Sequence, residues 1–193
     1  MEKVSKVRKA KTTSVSFSYS TEKTIQAAAV LLRKYKNWRM PYMRLLKLLY
    51  IADRESLRET GRPIAGSTPV AMKYGLLDGR VLDLIKGSIK DPLWSKFIRR
   101  KGYYVTLLDD PRDLKLSEYE VAKLEEVADK YRKMDRFELA ALTHEFEEYK
   151  DPKGGFLPVP LEDIIDAVGR TADKEEIIAD AREKAYADQV FGR

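Results

Sequence analysis

Leu45-Leu46-Lys47-Leu48-Leu49-Tyr50-Ile51-Ala52 is a helical stretch that is apolar almost all round. A helix of that kind must lie inside its fold. Charged residues crowd its exit: Asp53, Arg54, Glu55, Arg58 and Glu59. The segment then breaks at Gly61-Arg62-Pro63-Ile64 and closes on Met72-Lys73-Tyr74-Gly75. The polar groups at the exit are therefore held against the core, where an unpaired charge is costly. Residues alone leave two readings open here, a recognition site and an ordinary buried ion pair.

With 193 residues, 44% of them hydrophobic, the chain can build one domain around a real core. No apolar run approaches the ~20 residues needed to cross a bilayer, so no membrane partner is expected. The basic N-terminus has no apolar segment of the kind a secretory signal carries. Cysteine is absent, which excludes disulfides and thiol chemistry and fits a reducing, cytoplasmic setting. His144 is the one histidine, so a zinc site of His and Cys is ruled out. No loop carries the alternating acidic ligands of a Ca²⁺ or Mg²⁺ site. The expectation is a protein without metal or cofactor.

Charge is divided along the chain. Residues 1–104 hold 23 Lys+Arg against 8 Asp+Glu, a net +15, and residues 105–193 hold 14 against 23, a net −9. Such a division suits contact of the first half with nucleic acid or an acidic protein. It equally suits two halves that attract each other once folded.

Residues 1–20 read as a flexible basic arm, in which Lys6, Arg8, Lys9 and Lys11 precede a Ser/Thr-rich stretch. Val15-Ser16-Phe17-Ser18-Tyr19 alternates like a short strand that docks on the domain edge. From residue 21 onward the periodicity predicts a single, mainly α, globular helical domain over 21–193. The first helix runs from Thr21 to about Lys36, with Ile25, Ala28, Ala29 and Leu32 on one face. Pro41 suits the first position of the second helix, which ends before Gly61. A loop with an extended piece at Val70-Ala71-Met72 leads to a helix from Asp78 to Lys86. Another helix runs from Pro92 to Gly102 with Leu93, Trp94, Phe97 and Ile98 inward. Tyr103–Leu108 is rich in strand formers and is expected to pair with Leu114-Lys115-Leu116 as a small β-hairpin over about 103–116. The C-terminal half is helical. Ser117 with Glu120 and Asp135 with Glu138 are capping boxes, backed by the staples Leu116/Val121 and Met134/Leu139. A last helix begins at Asp173.

Catalytic motifs are missing. The chain has no Gly-X-Ser-X-Gly elbow, no phosphate-cradling glycine loop, and carboxylates that sit in helical charge runs. The protein is not expected to be an enzyme. His144, in Leu142-Thr143-His144-Glu145, is either a helix histidine bonded to Glu148 four residues on or a polar contact in a shaped pocket. Asp53 and Arg54 either pair locally, cap a neighbouring helix, or offer a charged hydrogen bond to a partner. Tyr50 shares a helix face with Asp53. For nucleic acid, the arm offers phosphate contacts, while Lys96, Arg99, Arg100 and Lys101 form a modest patch and no helix-turn-helix is evident.

The ordered series Leu45–Arg54, Gly61-Arg62-Pro63-Ile64 and Met72-Lys73-Tyr74-Gly75 resembles the opening of the SocA-like Panacea domain. Leu116-Ser117, Glu138-Leu139 and Leu142-Thr143-His144-Glu145 resemble that family's second signature, so the resemblance covers about residues 25–170. It implies a mostly helical bacterial or phage antitoxin that neutralises a cognate toxin by direct contact. SocA-type members are also associated with delivering the toxin to a AAA+ protease. A nucleic-acid-binding regulator acting through the basic N-terminal half is the alternative of another class. Lys47, Tyr50, Asp53, Arg54, Tyr74 and His144 are the matched positions, the expected partner-binding or pocket residues. The sequence departs from the family where Leu76-Leu77-Asp78 follows Tyr74-Gly75 in place of Pro and a later Ser. It departs again where Glu147-Glu148-Tyr149 stands in place of a tryptophan, and no DNA-binding domain precedes the Panacea-like region. The resemblance makes one spatial expectation: Tyr50, Asp53, Tyr74 and His144 lie near one another.

Overall fold

In a computed structural model describing residues 15–66 and 68–191, two helices form the centre. α1 (Thr21–Arg33) is buried from Thr24 through Leu32 and α2 (Tyr42–Thr60) from Arg44 through Asp53. The Ala27-Ala28-Ala29-Val30-Leu31-Leu32 run explains why α1 is enclosed on every side, beyond the single face its periodicity announces. α1 ends at Arg33, short of Lys36, in a 3-10 turn at Lys36–Trp38. Gly61 stops α2 in a left-handed conformation, φ 77°, its N–H returning to the Leu57 carbonyl.

Around this pair lie α3 (Gly79–Lys86), α4 (Pro92–Phe97), α5 (Glu118–Lys130), α6 (Arg136–His144), α7 (Leu161–Ala167) and α8 (Lys174–Phe191). Local chemistry fixes most of their starts. Asp78 caps α3 and Asp91 caps α4 through their side chains, and both expected capping boxes, Ser117/Glu120 and Asp135/Glu138, are complete.

The fold is mainly α, but the β structure is larger than one hairpin. Among the described residues six short strands, β1 (Arg39–Pro41), β2 (Pro69–Met72), β3 (Gly75–Asp78), β4 (Ile98–Lys101), β5 (Tyr104–Leu107) and β6 (Phe156–Pro158), make two antiparallel sheets. Their orders are β1-β5-β4 and β3-β2-β6. The expected hairpin over 103–116 is corrected to 98–107: β5 pairs back with β4, and Leu114-Lys115-Leu116 forms no strand. The helix expected to run to Gly102 ends at Phe97, because β-branched Ile98 turns extended and pairs with Leu107. Leu93, expected inside, is 40% exposed.

Residues 1–14 of the expected arm, with Lys6, Arg8, Lys9 and Lys11, lie outside the described residues. Val15–Ser20 forms no strand, yet Phe17 is buried against α2 and α7 residues in a second apolar cluster.

Several ion pairs join the basic first half to the acidic second: Lys23–Glu120, Arg33–Asp110, Lys34–Asp129, Arg54–Glu148 and Arg62–Asp180. Mutual attraction of the halves thus accounts for part of the charge division.

Candidate partner-binding site

Lys47, Tyr50 and Arg54 follow one another at i, i+3 and i+7, so they share one face of α2. That face meets the β2–β3 hairpin and the chain that leaves α6. Lys47 is buried, and its ammonium donates to the Tyr74 carbonyl at 2.6 Å, the Leu76 carbonyl at 3.3 Å and Thr143 Oγ1 at 2.8 Å. All three of its donors are engaged. Burial nevertheless lowers its pKa to about 8.

One turn on, the Tyr50 hydroxyl donates to Glu148 Oε1 at 2.5 Å. The Arg54 guanidinium closes on the same carboxylate, Nε to Oε1 at 2.7 Å and Nη2 to Oε2 at 3.3 Å. The Glu148 side chain is 0% exposed, so this two-pronged pair neutralises a charge deep in the protein. Burial, followed by the negative Glu148, pushes the Tyr50 hydroxyl well above its ordinary pKa and keeps it a donor. Arg54 also lies over the Phe146 ring, 4.2 Å from its centre.

The hairpin turn docks tightly on α6. Gly75 has φ 90°, and a Cβ there would sit 2.2 Å from Thr143 Oγ1. Only glycine allows this approach, which gives the Tyr74-Gly75 pair its physical reason. Beside it, His144 Nε2 donates to the Lys73 carbonyl at 2.8 Å, and the imidazole stacks on Tyr149 at 4.2 Å. Glu148, the expected partner of His144, is engaged by Tyr50 and Arg54 instead.

Asp53 stands on a different flank of α2. Its Oδ1 accepts the N–H groups of Ile64 (3.0 Å) and Ala65 (2.9 Å), which fastens the loop after Gly61. Lys47, Tyr50, Arg54, the Tyr74 backbone and His144 thus follow one seam, while Asp53 serves the opposite loop. The Tyr74 ring leaves the seam and is 60% exposed. Tyr50, Asp53 and Arg54 line an apolar cavity of about 150 Å³ with Leu57, Pro69, Pro160 and Leu161; Tyr74 and His144 lie outside it.

Sequence reasoning missed Glu148, the acceptor on which Tyr50 and Arg54 converge. Its signal was indirect: a buried tyrosine and arginine one turn apart require a buried acceptor. It also missed Arg44, which donates to the Tyr131 carbonyl at 2.6 Å and to the Met134 carbonyl at the end of α5. Among the described residues no cluster of His, Cys, Asp and Glu has metal-binding geometry, and no helix is long and apolar enough to cross a membrane.

Next to the hairpin turn, Phe156 of β6 pairs with Met72 and is 66% exposed, and its neighbour Leu157 is also exposed. Tyr74, His144, Phe156 and Leu157 are each exposed, on the β2–β3 turn, the end of α6 and β6.

Residues 45–150 match the family model of the antitoxin SocA-like Panacea domain. The matched span covers more than half of the chain and contains the whole seam, from Lys47 to Glu148. No curated protein and no solved structure matches the chain. The chain therefore belongs to the SocA-like Panacea-domain family.

Proposed function

We propose that this protein is a cytoplasmic antitoxin that neutralises a cognate toxin by direct contact and performs no catalysis of its own. The observation that carries the reading is the family match over residues 45–150. The toxin docks on the surface formed by Tyr74, His144, Phe156 and Leu157, where exposed aromatic side chains supply the anchors that dominate protein interfaces. Among the described residues β6 is the edge of its sheet, which a partner strand can extend. Lys47, Tyr50 and Arg54 act from beneath, holding the hairpin and the α6 exit in place; Asp53 holds the neighbouring loop.

The test is expression of the protein encoded by the adjacent gene, alone and together with this chain. Growth arrest by the neighbour, relieved by the wild type but not by Phe156→Asp of unchanged melting temperature, supports the proposal. A harmless neighbour, or one that stays toxic and unbound, ends it. The toxin's half-life in the same cells tests the adaptor role. Shortening by this chain adds delivery to a AAA+ protease, and an unchanged half-life leaves neutralisation by binding alone.

A further inference from the structure

The other sheet presents a second surface, built of different chemistry. Directly paired residues share a sheet face. In β1-β5-β4 the register sets Arg39, Thr106 and Arg99 in one row and Pro41, Tyr104 and Lys101 in another. The row between them contains Met40 and Val105, both buried, with Arg100 at its exposed edge, so the first two rows face outward. The Arg39 guanidinium lies 4.1 Å over the Tyr104 ring, which confirms that these side chains share that face. Trp38 and Tyr103, exposed at 40% and 69%, adjoin the strands at β1 and at the β4–β5 turn.

None of Arg39, Arg99, Arg100 or Lys101 has an acidic partner among the described residues, unlike Lys23, Arg33, Lys34, Arg54 and Arg62, which pair with the acidic half. Residues 84–108 contain six Lys and Arg and a single acid, Asp91, whose carboxylate caps α4. Asp110, just after β5, is bound by Arg33. Around the edge of β4 from this face, on the side of Ile98, Arg100 and Val105, opens a groove of about 410 Å³ between the ends of α3 and α4, lined also by Lys86, Trp94, Ser95 and Arg99. Its volume is that of an ordinary ligand pocket.

We propose that this sheet face and groove bind single-stranded nucleic acid. Arg39, Arg99, Lys101 and Lys86 take the phosphates, and the exposed tyrosines stack the bases. Charge without aromatics suits any polyanion; charge interleaved with exposed aromatic rings on a sheet is the arrangement that single strands use. Duplex DNA is disfavoured because strands of three and four residues offer no element long enough to fill its major groove. The surface is separate from the proposed toxin face, so each proposal stands or falls alone.

Fluorescence anisotropy on the full chain tests it, with labelled oligo(dT) and oligo(U) of about 15 nucleotides and duplex DNA and polyglutamate as competitors. Binding of the single strands is expected at low salt. Arg99→Ala/Lys101→Ala weakens it at least about tenfold and flattens the logarithmic salt slope by about 1.4, two lost phosphate contacts. Tyr104→Ser weakens it about 5- to 100-fold with the slope unchanged, while Tyr104→Phe stays within about twofold because the ring remains. Melting temperatures of all variants check that the sheet is intact, and Lys101→Glu alone replaces any variant that fails to fold. The proposal is overturned by absence of binding, by competition from polyglutamate or duplex equal to that from the single strand, or by Tyr104→Ser binding as wild type. It is also overturned if affinity is lost only in Lys6→Ala/Arg8→Ala/Lys9→Ala/Lys11→Ala.

Discussion

Along α2, Lys47, Tyr50 and Arg54 are enclosed, and their polar groups meet Tyr74, Leu76, Thr143 and Glu148. On the outer face of β1-β5-β4, Arg39, Arg99 and Lys101 are exposed without an acidic partner among the described residues. The first region holds residues of the motifs by which the sequence resembles the family; the second holds none of those motif residues, although β4 and β5 lie within the matched span. Buried polar groups must be matched by particular partners at particular distances, so their sequence is tightly specified. Surface cations need only be present in number. The contrast teaches that the signature residues Lys47, Tyr50 and Arg54 are bonded within the scaffold, which is why the proposed partner contacts are placed on exposed neighbours.

Breaking the seam should have the largest effect. Glu148→Ala leaves Arg54 and Tyr50 buried without their acceptor and should cost about 3–5 kcal/mol, read as a fall in the urea midpoint with unchanged slope. Little change in midpoint would show that the carboxylate is dispensable. Gly75→Ala comes next, because a Cβ meets Thr143 Oγ1 at φ 90°. A left-handed non-glycine residue alone costs about 1–3 kcal/mol, and the collision adds to it. A wild-type melting temperature would contradict the close approach.

Two buried ionisable groups sharpen the comparison through pH. Burial raises the Asp78 carboxyl from its ordinary 3.8 to about 7, and its Oδ2 accepts no hydrogen bond among the described residues. Between those values the folded protein binds more protons than the unfolded chain, so this group's contribution to stability falls as pH rises through the window. Asp78→Asn keeps the α3 cap and should gain on the wild type from pH 4 to 7, then hold its lead. Lys47 works in the other window. Its folded pKa is depressed to about 8 from 10.5, so its contribution to stability rises between pH 8 and 10.5 and is lowest below 8. Lys47→Met should abolish that rise. Urea titrations at pH 5, 7, 8.5 and 10 check both, and parallel curves for variant and wild type would refute the burial argument. The smallest effect belongs to the sheet: Arg99→Ala/Lys101→Ala should leave stability within about 0.5 kcal/mol per site. A larger loss would make those cations part of the scaffold.

Much of this was legible in the sequence wherever the cause is local. The enclosed α2, its stop at Gly61 and the capping boxes at Ser117 and Asp135 depend on residues within four positions of one another. The sheets were legible only in part: β2 and β5 fall on the extended pieces expected at Val70-Ala71-Met72 and Tyr103–Leu108, but their hairpin partners β3 and β4 are short strands with little alternation, and the remaining pairings, Arg39 with Thr106 and Met72 with Phe156, are distant in sequence. Glu148 was hidden for a related reason. Amid Glu145, Glu147 and Lys150 it looks like one more solvated charge, and only the approach of α2 reveals that it is enclosed.

A double-mutant cycle on Arg54→Met and Glu148→Gln, read by urea unfolding, tests the central claim that the matched residue Arg54 and its buried acceptor Glu148 hold the scaffold. The account predicts a coupling of about 2–3 kcal/mol, the upper range for paired groups in contact. A coupling below about 0.5 kcal/mol, as exposed pairs give, would contradict it.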